Sequence, residues 1–372
     1  TVGQDMEFKH SDERQMLVDT LARYLQNEYP LSVRNTAAAS AEGFDAGQWQ
    51  TLADLGIFGA FFSEDQGGFG GSAYDVIAVF EELGRALVVE PLLDCALLPG
   101  QLLAAAGDLD RLSEVIEGST RIAVAMDQGD HQIAALRATP TDGDWIITGD
   151  VPMVKFAKGA DAIIVAAQTA EDSAQVSLFM VPEDQAGVAY THHRTFDGGS
   201  VSDLRFDNVR LSESAMIGPL NGAGALIKTA KQWAILAICA EALGIMEAIK
   251  TTTLEYLRTR IQFGTVIGRF QGLQHRMAQL LLEIEQARSA VINAAAAMTS
   301  DPNQRQRVLS ASKFSIGRIG TLIAEDSIQL HGGIGMTWEY DLGHFAKRLV
   351  MIDHELGDAD HHLALFMQTE LA

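Results

Sequence analysis

The sequence predicts an α+β protein in three parts: an N-terminal all-helical domain, a middle antiparallel β-barrel or sandwich, and a C-terminal four-helix bundle. Three observations carry this prediction. Apolar residues recur at helical spacing through residues 11–120, within an N-terminal domain of residues 1–120. Short runs bounded by turn residues replace that pattern over residues 121–217. Long helical stretches then fill residues 218–372. A chain of 372 residues also exceeds the ~250–300 at which one core stops growing, so several subdomains are expected.

In the first part, Ser11 reads as an N-cap, with Met16, Leu17, Leu21 and Tyr24 forming an apolar stripe behind it. A second helix fits residues 48–55 and stops at Gly56. A glycine-rich loop spans 66–72. A helix over 73–87 carries Glu81 and Glu82, and apolar helix fits 92–106 with a break or kink at Pro99-Gly100. Strand-like runs follow at 122–125, 145–148, 162–167, 176–181 and 204–206, separated by Asp- and Gly-rich turns. Four long helices then fit 223–260, 270–298, 303–330 and 342–368. Their breaks fall at 264–268, 300–302 and 332–335.

Lys and Arg number 27 against 49 Asp and Glu, a net charge of −22. Nucleic acid and acidic membrane surfaces are therefore not expected partners. The longest unbroken apolar run, residues 233–240, falls short of the ~20 residues of a membrane span. Residues 1–10 are mostly polar and carry no leader-like pattern. Cys95 and Cys239 both lie in apolar helical patterns, so buried free thiols and a cytoplasmic location are expected.

Several motifs occur in a telling order. Leu55-Gly56-Ile57-Phe58-Gly59, Glu64, Gly67-Gly68-Phe69-Gly70-Gly71 and Glu81-Glu82-Leu83-Gly84-Arg85 come first. Arg260-Ile261-Gln262-Phe263-Gly264 and Phe270-Gln271-Gly272-Leu273-Gln274-His275 form a second block. Gln329-Leu330-His331-Gly332-Gly333-Ile334-Gly335 with Glu339-Tyr340 forms a third. Together they resemble the acyl-CoA dehydrogenase family, in family order and across nearly the whole chain. The resemblance implies an FAD cofactor, an acyl-CoA substrate and an electron-transfer flavoprotein as acceptor.

It also implies cofactor-binding roles for Arg260, Gln262, Phe263, Phe270, Gln271, Gln329, Gly332 and Gly333, which in the family reach the flavin of a neighbouring subunit. The chemistry agrees. Arg260 offers a planar, always-charged fork to a pyrophosphate. Gly332-Gly333 let backbone approach a ligand with no Cβ in the way, and glutamines donate and accept. The structural alternative is that Arg260 caps a helix and the glycines merely break one.

Other family positions differ. The flavin-ring cradle corresponds to residues 123–130 and to Val154-Lys155-Phe156-Ala157, which lack its usual residues. The family's catalytic glutamate corresponds to Leu356, with Glu355 one residue off, a turn of about 100° on a helix. A second family position for the base falls on Ala234, and its companion arginine on Ile235. Glu241 is the remaining candidate base, two turns beyond Ala234 on the same face. Apolar neighbours Ile238, Cys239, Ala240 and Leu243 would desolvate it. The alternative for Glu241 is a carboxylate paired with a cation. Glu247 lies on a more polar stretch and is expected at the surface. His354, His361 and His362 sit near Asp353, Asp358 and Asp360, but no HExxH pair occurs and no metal site is expected.

Motifs that act in trans survive here, and those that act in cis do not. The chain is thus expected to be the half-site subunit of a heterotetramer with a homologous acyl-CoA dehydrogenase chain. The alternatives are a self-sufficient homotetramer using Glu241, and a flavin-free scaffold.

Overall fold

The computed structural model describes residues 11–126, 136–170 and 175–368. The polar stretch 1–10 and positions 127–130 of the corresponding cradle segment lie outside these residues.

The chain opens with α1 (Asp12–Glu28), α2 (Leu31–Ala39), α3 (Ala46–Asp54), α4 (Ala73–Arg85), α5 (Leu98–Ala106) and α6 (Leu109–Ile116). Ser11 caps α1 by accepting from the backbone N–H of Arg14, and Asp12 and Glu13 favour the positive helix end. Ser72 and Asp75 form a capping box at the start of α4. The Arg14 side chain binds Asp75 at 2.7 Å and so ties α1 to α4.

Of the expected break or kink at Pro99-Gly100, no break occurs. Pro99 sits in the first turn of α5, where a missing N–H is not needed. The irregularity lies just before it, as a wider π turn over Leu93–Leu97.

The middle strands are β1 (Ile122–Ala125), β2 (Leu136–Thr141), β3 (Asp144–Lys155), β4 (Ala162–Gln168), β5 (Val176–Pro182), β6 (Val188–Arg194), β7 (Ser200–Ser212) and β8 (Met216–Ile217). They form one sheet in the order β6-β7-β3-β2-β4-β5-β8, with β1 beside β4. The expected antiparallel barrel is corrected to an open, mixed sheet, because β1 and β2 both run parallel to β4. Ile163, Val165, Phe179, Leu204 and Phe206 fill one core within the folded sheet. The alternate residues Ile164, Ala166, Leu178 and Met180 join the helical core. Burial on both faces explains why β4 and β5 are apolar but for Gln168 and Ser177.

The C-terminal part begins with α7 (Ala223–Thr259), then a hairpin of β9 (Ile261–Gln262) and β10 (Thr265–Val266). There follow α8 (Gln271–Ala297), α9 (Pro302–His331), α10 (Leu342–His354) and α11 (Ala359–Gln368). The fourth expected helix is therefore two. Leu356 and Gly357 both take left-handed backbone, φ 57° and 96°, and stop α10. Lys313, fully buried, donates to the carbonyls of Ile352, Asp353 and Gly357 at 2.9–3.0 Å. The ammonium thus ties the last turn of α10 to the turn that follows it.

Counted with its few polar residues, α7 is long and apolar enough to cross a bilayer, a length the unbroken run 233–240 had concealed. Here it is the core helix, with 83% of its most apolar window buried. It meets α4 backbone to backbone: a Cβ on Gly84 would lie 2.0 Å from the Glu241 carbonyl oxygen, and one on Gly244 1.9 Å from that of Glu81. Only glycine permits that approach.

Candidate active site and cofactor surface

Two clusters of the expected residues stand in different surroundings. The first lies at the C-terminal end of α7. Arg260 follows that helix directly, and Phe263-Gly264 make the two-residue turn between β9 and β10 with φ 54° and 79°. Left-handed backbone at both positions is what such hairpins require. Tyr256, one turn earlier, donates to the His331 carbonyl at 3.2 Å and stacks on the His331 ring at 4.4 Å. This contact brings the hairpin beside the Gly332–Met336 turn after α9.

Arg260, Gln262, Phe263, Phe270, Gln271, Gln329, Gly332 and Gly333 are all exposed. Arg260 makes no ion pair among the described residues. Nothing lies within 4 Å of a Cβ built on Gly332 or Gly333. Phe263 is 90% exposed, with Ile261, Ile334, Met336 and Trp338 also exposed on the same two segments. A free guanidinium, open glycine backbone and exposed aromatics fit a phosphate-bearing cofactor and a covering chain. Arg260 is the C-cap residue of α7 and Gly332 that of α9, as the structural alternative has it, while the Arg260 side chain makes no ion pair among the described residues.

The second cluster surrounds a cavity of about 330 Å³. Leu83, Leu87, Val88, Leu92 and Met351 give it an apolar wall, and Lys155, Asp197, Glu241, Arg348 and Glu355 a charged one. Arg348, on α10, binds Glu241 through Nε–Oε1 at 2.6 Å and Nη2–Oε2 at 2.9 Å. Its Nη1 also donates to Asp197 at 3.1 Å and Glu355 at 2.6 Å, and its Nη2 to Glu355 at 3.4 Å. All five N–H donors of the guanidinium are thus engaged. Lys155, on β3, binds Glu355 at 2.5 Å.

Burial alone would push the Glu355 carboxyl up, but the charges of Arg348 and Lys155 outweigh it and hold it down to about 2. Desolvation would lower Arg348, yet Glu241 and Glu355 hold it above the usual arginine range. Desolvation pushes the nearby Asp94 carboxyl up to about 6 against the pull of Lys155.

Glu241 does line the cavity, but an arginine from another helix holds it, not only apolar neighbours. Nothing in the sequence around Glu241 pointed to a residue on α10. Glu355 also reaches the cavity. The helical 100° argument does not apply to it, because α10 ends at His354 and Glu355 is extended, φ −92° and ψ 137°. Leu356 lies in the turn beyond, and Ala234 is fully buried in the core. Glu247 is not at the surface: it is 6% exposed and held by Arg288 at 2.7 Å and by Lys250. Glu247 itself faces the cations Arg288 of α8 and Arg85 of α4.

Of the histidine tail, the His361 backbone N–H is capped by Asp358 at 2.8 Å. His362 is buried, with Nε2 2.9 Å from the Leu356 carbonyl, and desolvation pushes it down to about 4. Cys95 and Cys239 are free and buried.

A helical domain, a mixed sheet and a helical bundle meet around this cavity, and the comparisons identify the family that shares this arrangement. Residues 11–108 match the family model of the acyl-CoA dehydrogenase N-terminal domain, and residues 222–364 that of the C-terminal domain. The chain belongs to the acyl-CoA dehydrogenase family. It is 32% identical over 344 residues to the acyl-CoA dehydrogenase IpdE2 of Mycobacterium tuberculosis, covering 91% of each chain. Among solved structures it is similar to the ChsE4–ChsE5 complex from Mycobacterium tuberculosis, with a TM-score of 0.89, 24% identity, and 98% and 99% of the two chains covered. It is equally similar to PigA in its FAD complex, with a TM-score of 0.89, 22% identity and the same coverage. At these identities the two structures bear on the fold.

Proposed function

We propose that this chain is the half-site subunit of a heterotetrameric, FAD-dependent acyl-CoA dehydrogenase. The reaction is α,β-dehydrogenation of an acyl-CoA thioester to the enoyl-CoA. The observation that carries the reading is the outer cluster: eight expected cofactor residues, all exposed, with Arg260 free of any ion pair among the described residues. FAD, when bound, supplies the acceptor for the β-hydride. Arg260 would hold the pyrophosphate, and the Cβ-free backbone at Gly332 and Gly333 would let it approach closely. Gln271 and Gln329 would hydrogen-bond the cofactor, while Phe263 and Phe270 would shield it from water. The homologous partner would carry the ring cradle and the base that takes the α-proton. An electron-transfer flavoprotein would be the acceptor. That one similar structure is a ChsE4–ChsE5 complex, and another an FAD complex, supports this reading.

A self-sufficient homotetramer is the second reading. Its support is that Glu241 lines the cavity, as a base must.

The test is Arg260→Ala in the chain co-purified with its partner. Loss of a charge-assisted fork should weaken flavin retention about tenfold or more. Unchanged retention would leave only a flavin-free scaffold.

A further inference from the structure

The segments that correspond to the family's ring cradle and base positions meet around the inner cavity: Lys155-Phe156, Glu355 beside Leu356, and Glu241 on the helix face of Ala234. Their chemistry does not fit a flavin ring with a thioester. A volume of about 330 Å³ is near the bottom of the ~300–1,000 Å³ range of small-ligand sites. Arg348 has no donor left, and Lys155 is held by Glu355. Five acids line the cavity (Glu90, Asp94, Asp197, Glu241, Glu355) against the strong bases Arg34, Lys155 and Arg348. A reaction that builds negative charge on a thioester oxygen needs free donors, and a surplus of acid opposes it.

We propose that the Arg348 cluster is a permanent joint that takes the place of cofactor and substrate in this chain's own site. It links the sheet, through Lys155 and Asp197, to the bundle, through Glu241, Arg348 and Glu355, without a flavin. The proposal deepens the half-site reading and rests on it. The joint accounts for why the inner site retains charged residues at all: each carboxylate answers a cation from a different element, and a buried pair is stable only while complete.

The experiment is thermal unfolding of the isolated chain, with and without FAD, for wild type, Arg348→Lys and Glu355→Gln. Arg348→Lys keeps the charge and loses the fork; Glu355→Gln keeps the shape and removes the charge that answers Lys155. The joint predicts a wild-type transition that FAD does not shift, and a fall of about 5 °C or more in each variant. Two results would overturn it. Variants melting with wild type would mean that nothing is joined there. FAD stabilising wild type but not the variants would make the cluster part of a live flavin site. Failure of the half-site reading is separate: it appears as unchanged flavin retention in Arg260→Ala and leaves these melts as they are.

Discussion

Arg348 and Glu241 meet through two parallel hydrogen bonds, at 2.6 and 2.9 Å, from helices 107 residues apart in sequence. A bidentate contact of this kind fixes both direction and distance between α10 and α7. The same guanidinium takes Asp197 and Glu355, so removing it leaves Glu241 and Asp197 without their ion pair and Glu355 with Lys155 alone. Arg348→Met should therefore lose about 3–5 kcal/mol of stability, more than either single carboxylate-to-amide change. Urea unfolding followed by circular dichroism measures this.

Glu355 gives that stability a pH dependence. Its carboxyl is held down to about 2 in the folded chain, below its ordinary 4.5. A depressed carboxylate stabilises above the unfolded value and loses that contribution as pH falls through the folded one. The stability gap between wild type and Glu355→Gln should be largest near pH 6–7. It should narrow steadily from about pH 5 toward pH 3. A gap independent of pH would contradict the ion-pair account.

Asp94 has the opposite sign. Desolvation raises it to about 6 from 3.8, so its ionisation opposes folding as pH rises through 6. Asp94→Asn removes that penalty. It should stabilise the chain at pH 8 by about 2–3 kcal/mol and by clearly less at pH 4.5, read from denaturant midpoints at the two values.

Phe263 tests the outer surface. It is 90% exposed in the single chain, so Phe263→Asp should leave the isolated chain's melting temperature within about 1 °C. In the presence of the partner chain the same change should prevent assembly, seen as a lower mass by light scattering. A charge placed in an apolar contact is desolvated without a partner.

Much of this was legible in the sequence. The Ser11 cap, the α4 start at Ala73 and the long helices follow from spacing and punctuation alone. The outer cluster could be found because its residues lie in short contiguous blocks at helix ends. What escaped was set by distant contacts. Strands β2, β6 and β8 are short, largely exposed or interrupted by Pro140, which ends the alternation of β2 after four residues. The split between α10 and α11 depends on Lys313, some forty residues earlier in the chain. The sequence left Glu241 as either a desolvated base or a cation-paired carboxylate, and only the fold shows the cation to be Arg348. Glu247 looked exposed because its polar surroundings in sequence are its partners in the fold.

The most direct measurement is the visible absorption spectrum of the purified chain, alone and after co-purification with its homologous partner. The half-site account predicts a colourless isolated chain and a yellow complex holding one FAD for each pair of chains. An isolated chain carrying close to one FAD per chain would contradict it and return the chemistry to Glu241.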